Sequence, residues 1–596
     1  MHTPKKISLP LWSLVFLSCA ATTSLAKEVK HPAAKSPGTR FEVSFPKEMS
    51  ATPLDGHVLL LISNNDEKEP RFQLSYDTTE SQQAFGLDVD ALAPETAVTF
   101  DGSTLGYPAM SLNDLPPGDY RVQGLLNIYD TFHLANGHTV KLPPDKGEGQ
   151  HWNVKPGNLY SKPVKIRIDP ANPQIIAISL TEKISAVEDD AKEVDSVNGW
   201  DGSNDNHAIT DNKWVRHIRI QSEMLTKFWE RPTYLGAVIL LPDGWAEHPD
   251  AHYPVIVEHD HFHRGLPGII AFRTEPPSAG LKDRDLRSAQ AGYKLYQDWT
   301  AGRLPRAIIV SVQHATPYFD DSYAVNSANQ GPYGDAITQE LIPYIENKFR
   351  GIGQGWARAV YGGSTGGWET LASQVFYPDF YNGAWVFCPD VVDFRAYATA
   401  NIYEDKNEYW IESPYARVPR PSMRKPDGLV LSTNEQMNRY ELVQGTHGRS
   451  GEQFDIWQAV FSPVGDDGYP KAIFDKRTGD IDHETAKYWH EHYDLDAIMQ
   501  RDWKTLGPKL AGKLHFYVGE ADTFYLDRAV HLTQDFLEST TDPYYHGTFE
   551  FGVRKPHCYT GDFDRAVGLN QHYWPEMVKH MEQTAPPGVD LQSWKY

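Results

Sequence analysis

From Arg40 to about Glu182 the apolar residues come in short, alternating runs (HVLLLIS, RFQLSYD, YRVQGLLNIY, PVKIRID, QIIAISL) separated by Gly, Pro, Asn and Asp. Such alternation with turn residues at each break predicts several short strands in an antiparallel, all-β sandwich-like domain over residues 40–184. Between 185 and 211 apolar residues thin out in favour of Asp, Glu, Asn, Gly and Ser, the composition of a solvated acidic linker. The pattern then changes. WVRHIRI and TYLGAVILLPDGW predict a strand pair, and YPVIVEHD and RAIIVSVQ predict buried strands. From Gly334 to Phe349, residues Ile337, Leu341, Ile342, Tyr344 and Ile345 fall on one helical face. WARAVY reads as a strand, GWETLASQVFY as a helix and YNGAWVFCPD as the next strand. This rhythm implies an α/β domain over residues 212–596, a mainly parallel sheet with helices on both faces. It is interrupted from about 395 to 506 by an aromatic, charged, loop-rich insertion. KLHFYVGEAD, a helix through Leu537 and GTFEFGV then resume the sheet.

Length and apolar content agree with that division: 596 residues with 40% hydrophobic content exceed what one core usually organises. A net charge of -23 repels phosphate backbones and anionic membrane surfaces, which argues against a nucleic-acid partner. Lys5 and Lys6, an apolar run from Leu9 to Ala21 and Ser24-Leu25-Ala26 together describe a secretory signal peptide over residues 1–26, so the protein is expected to be exported, periplasmic or extracellular. No segment reaches the roughly 20 apolar residues of a membrane span. Beyond the signal only Cys388 and Cys558 remain, too few for a disulfide scaffold or a cysteine-built zinc site.

The sharpest chemical signal is Gly362-Gly363-Ser364-Thr365-Gly366-Gly367, placed between a strand and a helix. In a G-x-S-x-G elbow the glycines remove the Cβ atoms that would clash in a sharp strand-to-helix turn, and the serine is pushed toward substrate. The helix N-terminus behind it supplies partial positive charge where an oxyanion develops.

The run from ILLPDGW through ELIPYIENKF to YGGSTGGWETL and the later histidine loop resembles the bacterial putative-esterase family of α/β-hydrolases, which includes feruloyl esterases, enterochelin esterase and S-formylglutathione hydrolase. The resemblance covers roughly residues 216–596 apart from the insertion, and not the amino-terminal β domain. It implies the α/β-hydrolase fold, a Ser, Asp, His order along the chain and no obligatory cofactor. A serine hydroxyl needs a base within hydrogen-bond reach and a carboxylate to orient that base. The resemblance puts the base at His557 in RKPHCYTG, and the acid at Asp522, which closes KLHFYVGEAD, with Asp527 and Glu520 as alternatives. For the oxyanion hole it implies the backbone N–H of Thr365 and one from the loop after YPVIVE. There the family carries His-Gly and this chain has His259-Asp260, which leaves His261 as the second donor and Phe262 close behind. The same stretch admits a metal reading, because His259, Asp260, His261 and His263 include alternate positions of an extended strand; no H-E-x-x-H spacing supports it, and no metal is assigned.

The insertion carries Tyr403, Tyr409, Trp410, Tyr415, Trp457, Phe461 and Trp489, as a lid over the sheet's carboxyl edge or a subdomain with its own core. The leading function is a secreted carboxylic ester hydrolase acting on a small-molecule or polysaccharide-linked ester. A serine peptidase and a non-catalytic binding protein on a hydrolase scaffold stay open. Cys388 follows the strand after the elbow and Cys558 adjoins His557, so both approach one rim, either as a disulfide or as two separate buried thiols.

Overall fold

The computed structural model describes residues 38–144, 152–185, 199–200, 208–209, 211–260, 272–318, 322–563 and 568–596. The signal-peptide segment and most of the acidic linker lie outside these residues.

In the amino-terminal part, Leu54–Ser63 lies between Gln83–Leu92 and Gly118–Ile128, antiparallel to both. They form the centre of a seven-stranded sheet, while a three-stranded sheet sets Arg40–Ser44 between Ile175–Ser179 and Val98–Phe100. The inner faces meet through Phe41, Val43, Phe100 and Ile178 on one side and Val58, Leu60, Ile62, Val122 and Leu126 on the other. One pair departs from the antiparallel expectation: Arg40–Ser44 runs parallel to Ile175–Ser179. These strands come from opposite ends of the domain, so no hairpin forces them to oppose.

The carboxyl-terminal part is built on an eight-stranded mixed sheet. Its strands are β1 (Val215–Gln221), β2 (Tyr234–Leu240), β3 (Val255–His259), β4 (Ile308–Gln313), β5 (Arg358–Gly363), β6 (Ala384–Phe387), β7 (Leu514–Gly519) and β8 (Thr548–Gly552). They lie in the order β1-β2-β4-β3-β5-β6-β7-β8. β2 is antiparallel to β1 and β4, and every other neighbouring pair is parallel. The helices of eight or more residues among the described residues are α1 (Asp283–Thr300), α2 (Ile342–Phe349), α3 (Thr365–Phe376), α4 (Asn434–Leu442), α5 (Gln453–Phe461), α6 (His483–His492), α7 (Leu495–Leu510), α8 (Asp527–Ser539) and α9 (Leu569–Thr584). Val255 and Val257 face a core with α2, α3 and α8, whereas Ile256 faces α1 and α9. Near-continuous apolar runs in β3 and β4 are what a sheet covered on both faces requires.

The insertion is not the loop-rich stretch its charge suggests. It holds two short strand pairs and the helices α4 to α7. Phe454, Trp457 and Phe461 recur at helical spacing and are all buried. Thr433 and Gln436 form a capping box at the start of α4, and the Asp494 side chain caps α7. Most of the aromatic residues singled out in the sequence are core: Trp489, Tyr409, Phe461 and Trp457 are buried, and only Tyr415 is fully exposed. The dense charges that disguise these helices lie between their apolar positions.

The insertion also carries the contacts to the β domain. Leu59, Leu61, Tyr107 and Trp152 share one buried cluster with Tyr440 and Val443. Trp152 Nε1 donates to Gln444 Oε1 at 2.6 Å, and Arg449 reaches the Lys141 carbonyl at 3.0 Å and Asp88 at 2.9 Å.

Candidate active site

β5 ends in Gly362-Gly363, and at Gly362, as at Gly366 in the helix that follows, neighbouring backbone occupies the space a side chain would take. A Cβ on Gly362 would stand 2.4 Å from the carbonyl oxygens of Gly366 and His259, and one on Gly366 would stand 2.1 Å from that of His259. The turn closes at Ser364, whose φ of 59° and ψ of -122° place a non-glycine residue in strained backbone at the first position before α3. Strain of this kind points its hydroxyl away from the helix and over the carboxyl edge of the sheet.

The loop after β8 meets that hydroxyl, and the turn after β7 backs that loop. Ser364 Oγ lies 2.8 Å from His557 Nε2, and His557 Nδ1 lies 2.7 Å from Asp522 Oδ2. Asp522 is fully buried in the turn after β7, and its Oδ1 accepts from the Phe524 backbone N–H at 2.9 Å. Burial alone would lower the His557 pKa, but the Asp522 carboxylate beside it prevails and holds it well above the usual histidine range. Phe524 packs edge-on against the imidazole with ring centroids 5.1 Å apart. Asp527 is not part of this arrangement: it begins α8 and pairs with Arg424 at 3.0 Å. Burial raises its pKa to about 6, against the pull of Arg424. Glu520 offers Arg424 its backbone carbonyl at 3.3 Å.

Thr365 is buried at the first residue of α3, where its backbone N–H is directed by the helix start. The other expected oxyanion donors, His261 and Phe262, lie outside the described residues, as does His263. A network that sequence reading misses surrounds Thr365. Its hydroxyl donates to Asp390 Oδ2 at 3.0 Å, and the same oxygen accepts from Tyr323 at 2.6 Å and from Gln453 Nε2 at 3.1 Å. Trp457 Nε1 donates to the Tyr323 hydroxyl at 2.8 Å. Helix α5 of the insertion is thereby tied to the residue after Ser364. Asp390 sits three residues past β6, at the sheet's carboxyl edge, the one sequence signal that marks it.

Among the described residues, two clusters present metal-type side chains. In the first, His259 Nδ1 lies 3.5 Å from Glu369 Oε2 and His314 Nε2 lies 3.7 Å from Glu369 Oε1, all three residues being fully buried. Burial, with His314 beside it, pushes the His259 pKa down to about 3, so the ring is neutral. However, the Ser322 backbone N–H donates to His314 Nδ1 at 2.9 Å. A neutral ring that accepts at Nδ1 carries its proton at Nε2, and the nitrogen facing Glu369 then has no lone pair to offer a metal. The second cluster joins Cys388, His557 and Cys558, whose ligand atoms lie within 4.8 Å of one another. There both ring nitrogens of His557 are engaged, by Ser364 and by Asp522.

A mixed sheet in this strand order, helices on both faces and a serine in a strained turn after the fifth strand define an α/β-hydrolase fold. Residues 233–431 match a family described as putative esterase. The resemblance seen in the sequence is to that family; the match includes Ser364 and ends before Asp522 and His557. No curated protein matches the chain. Among solved structures the chain is similar to a ferulic acid esterase, at 16% identity over 62% of this chain and 99% of that one with a TM-score of 0.32. It is similar to an S-formylglutathione hydrolase from Agrobacterium tumefaciens, at 12% identity over 62% and 94% with a TM-score of 0.30. A third is a siderophore hydrolase from Aspergillus nidulans, at 11% identity over 64% and 99% with a TM-score of 0.29.

Proposed function

We propose that this protein is an exported serine hydrolase that cleaves carboxylic esters through an acyl-enzyme. The observation that carries the reading is the continuous hydrogen-bonded line from Ser364 Oγ through His557 to the buried Asp522 carboxylate. The putative-esterase match over residues 233–431 supports the ester as the bond cleaved.

In this mechanism His557 Nε2 takes the Ser364 proton as Oγ attacks the ester carbonyl, and Asp522 holds the ring and stabilises the imidazolium. The Thr365 N–H and a donor from the loop after β3 stabilise the tetrahedral oxyanion. His557 returns the proton to the departing alcohol, then activates water to release the acid and restore Ser364. The hydroxyl of Thr365, locked onto Asp390, keeps the first amide in register. Export rests on the signal-peptide pattern of residues 1–26. The insertion reaches the residues around the site through Gln453 and Trp457 of α5 and through Arg424, which donates to the Asp522 carbonyl at 2.9 Å.

A panel of chromogenic esters and dipeptide amides, run on the mature protein beside Ser364→Ala, tests the reading. Turnover of esters by the wild type alone is expected. Preference for the amides would make it a peptidase, and equal turnover by folded Ser364→Ala would remove the serine mechanism.

A further inference from the structure

The fold brings the chain's two remaining cysteines together behind the nucleophile. Cys388 immediately follows β6 and is fully buried. Its Sγ would lie 3.8 Å from a Cβ placed on Gly363, directly under the elbow. Cys558 lies in the loop after β8, beside His557, and is exposed. Their sulfurs stand within 4.8 Å of each other although 170 positions separate them in the sequence. Both residues hold positive φ, 35° and 61°, a conformation that non-glycine residues keep only where their surroundings impose it. The two thiols are therefore held in register rather than meeting by chance side-chain motion. Of the two readings the sequence offers, both thiols are free rather than joined; Cys388 is buried as expected, whereas Cys558 is exposed and the two are neighbours.

We propose that Cys558 and Cys388 are an oxidisable pair, in which a peroxide attacks Cys558 and Cys388 resolves the product into a disulfide that ties the His557 loop to the end of β6. The division of labour follows from their surroundings. The hydrogen bond with Cys388 lowers the Cys558 pKa, with help from His557 and against the packing around the sulfur of this otherwise exposed residue. Burial holds the Cys388 thiol well above the usual range. An exposed thiolate beside a protonated partner is the arrangement of a thiol that reacts and a thiol that resolves. In the first step the Cys558 thiolate sulfur attacks one peroxide oxygen; the O–O bond breaks, a sulfenic acid forms, and the departing hydroxide takes a proton from solvent and leaves as water. In the second the Cys388 sulfur attacks the sulfenic sulfur; the S–O bond breaks, the S–S bond forms, and the Cys388 proton leaves with the hydroxide as a second water. The two thiols lose two electrons and the peroxide gains them. A metal ion held by the same groups is disfavoured, because His557 spends both nitrogens on Ser364 and Asp522.

The test reads covalent state, not turnover, so it stands or falls apart from the proposed ester hydrolysis. The full chain is treated with stoichiometric hydrogen peroxide, and peptides are mapped by mass spectrometry, with Cys19 followed separately. A linked Cys388–Cys558 peptide that dithiothreitol separates is expected. Cys388→Ala should stop at a dimedone-reactive sulfenic acid on Cys558, and Cys558→Ser should leave Cys388 reduced. Should Cys388→Ala fail to fold, the wild type and Cys558→Ser, altered at an exposed position, still decide. Sulfinic acid on Cys558 without the link, or equal oxidation of Cys388 in Cys558→Ser, would overturn the proposal.

Discussion

In the proposed mechanism, protonation of His557 governs when Ser364 can lose its proton. The Asp522 carboxylate, overriding burial, raises the His557 pKa, so the ring needs a higher pH to become a base than a free histidine would. The acidic limb of kcat/KM is therefore expected above the ordinary histidine value of about 6.5. Asp522→Asn should move it downward as well as lower the rate. A limb at or below 6.5 in the wild type would contradict the charge arrangement. The same shift bears on stability: His557 contributes fully below about 6.5 and loses that contribution as pH rises through its folded value. At this scale legibility is uneven. Ser364 is readable because its turn demands glycines, and glycines show in the sequence. His557 is one of 24 histidines and is distinguished only by following the last strand. Asp522 and Asp527 both carry plausible acids; burial against the Phe524 amide and pairing with Arg424 separate them. Neither distance is written in the spacing.

Helix α5 reaches Thr365, the residue after Ser364, through a contact no local pattern announces. Asp390, Tyr323 and Gln453 are remote in sequence and converge on one carboxylate oxygen that also accepts from Thr365. Asp390→Asn turns an acceptor of these bonds into a group that can also donate, which loosens Thr365 without touching Ser364, His557 or Asp522. A fall in kcat of about 10-fold, with KM nearly unchanged, is expected from a small misplacement of the first oxyanion amide. A change in KM alone would assign Asp390 to substrate binding instead. The sheet itself is legible: the apolar runs of β3, β4, β5 and β7 are strands, and the residues between β5 and β6 are a helix. The helices of the insertion are not, because their buried aromatics are outnumbered by charges that face solvent or pair with one another. Lys476 with Asp455 and Glu441 is one such group, buried within the insertion.

The β domain and the α/β domain are joined by more than the linker between them. Arg449 bonds Asp88 and the Lys141 carbonyl, and the Asp88 carboxylate, although burial opposes it, is held well below the usual range by His57 and Arg449. Arg449→Ala should lower stability by about 1.5–3 kcal/mol, read from chemical denaturation. A depressed carboxylate stabilises above its unfolded pKa, so the difference between wild type and Arg449→Ala should be full above about pH 4 and shrink as pH falls below it. A difference insensitive to acid would place the stabilisation elsewhere. The β domain also reaches the rim of the site: Tyr76, 42% exposed, packs 6.3 Å from Phe524, which in turn touches His557. Tyr76→Ala is expected to raise KM about 2- to 10-fold for esters with an aromatic group and to leave kcat intact. An unchanged KM would confine the β domain to a structural role. The linker pattern of residues 185–211 suggests two independent units, and only the folded contacts of Trp152, Tyr107 and Arg449 reveal the docking.

The account as a whole depends on Ser364 being a nucleophile in the folded protein, and labelling of the intact mature chain with a fluorophosphonate, mapped by mass spectrometry, measures that directly. One adduct per chain on the peptide containing Ser364 is expected. It should be absent after denaturation and slowed by about 10³-fold or more in His557→Ala, since removing the base removes activation of the hydroxyl. A folded protein that takes up no label at Ser364, or takes it up elsewhere at the same rate with and without His557, would contradict it.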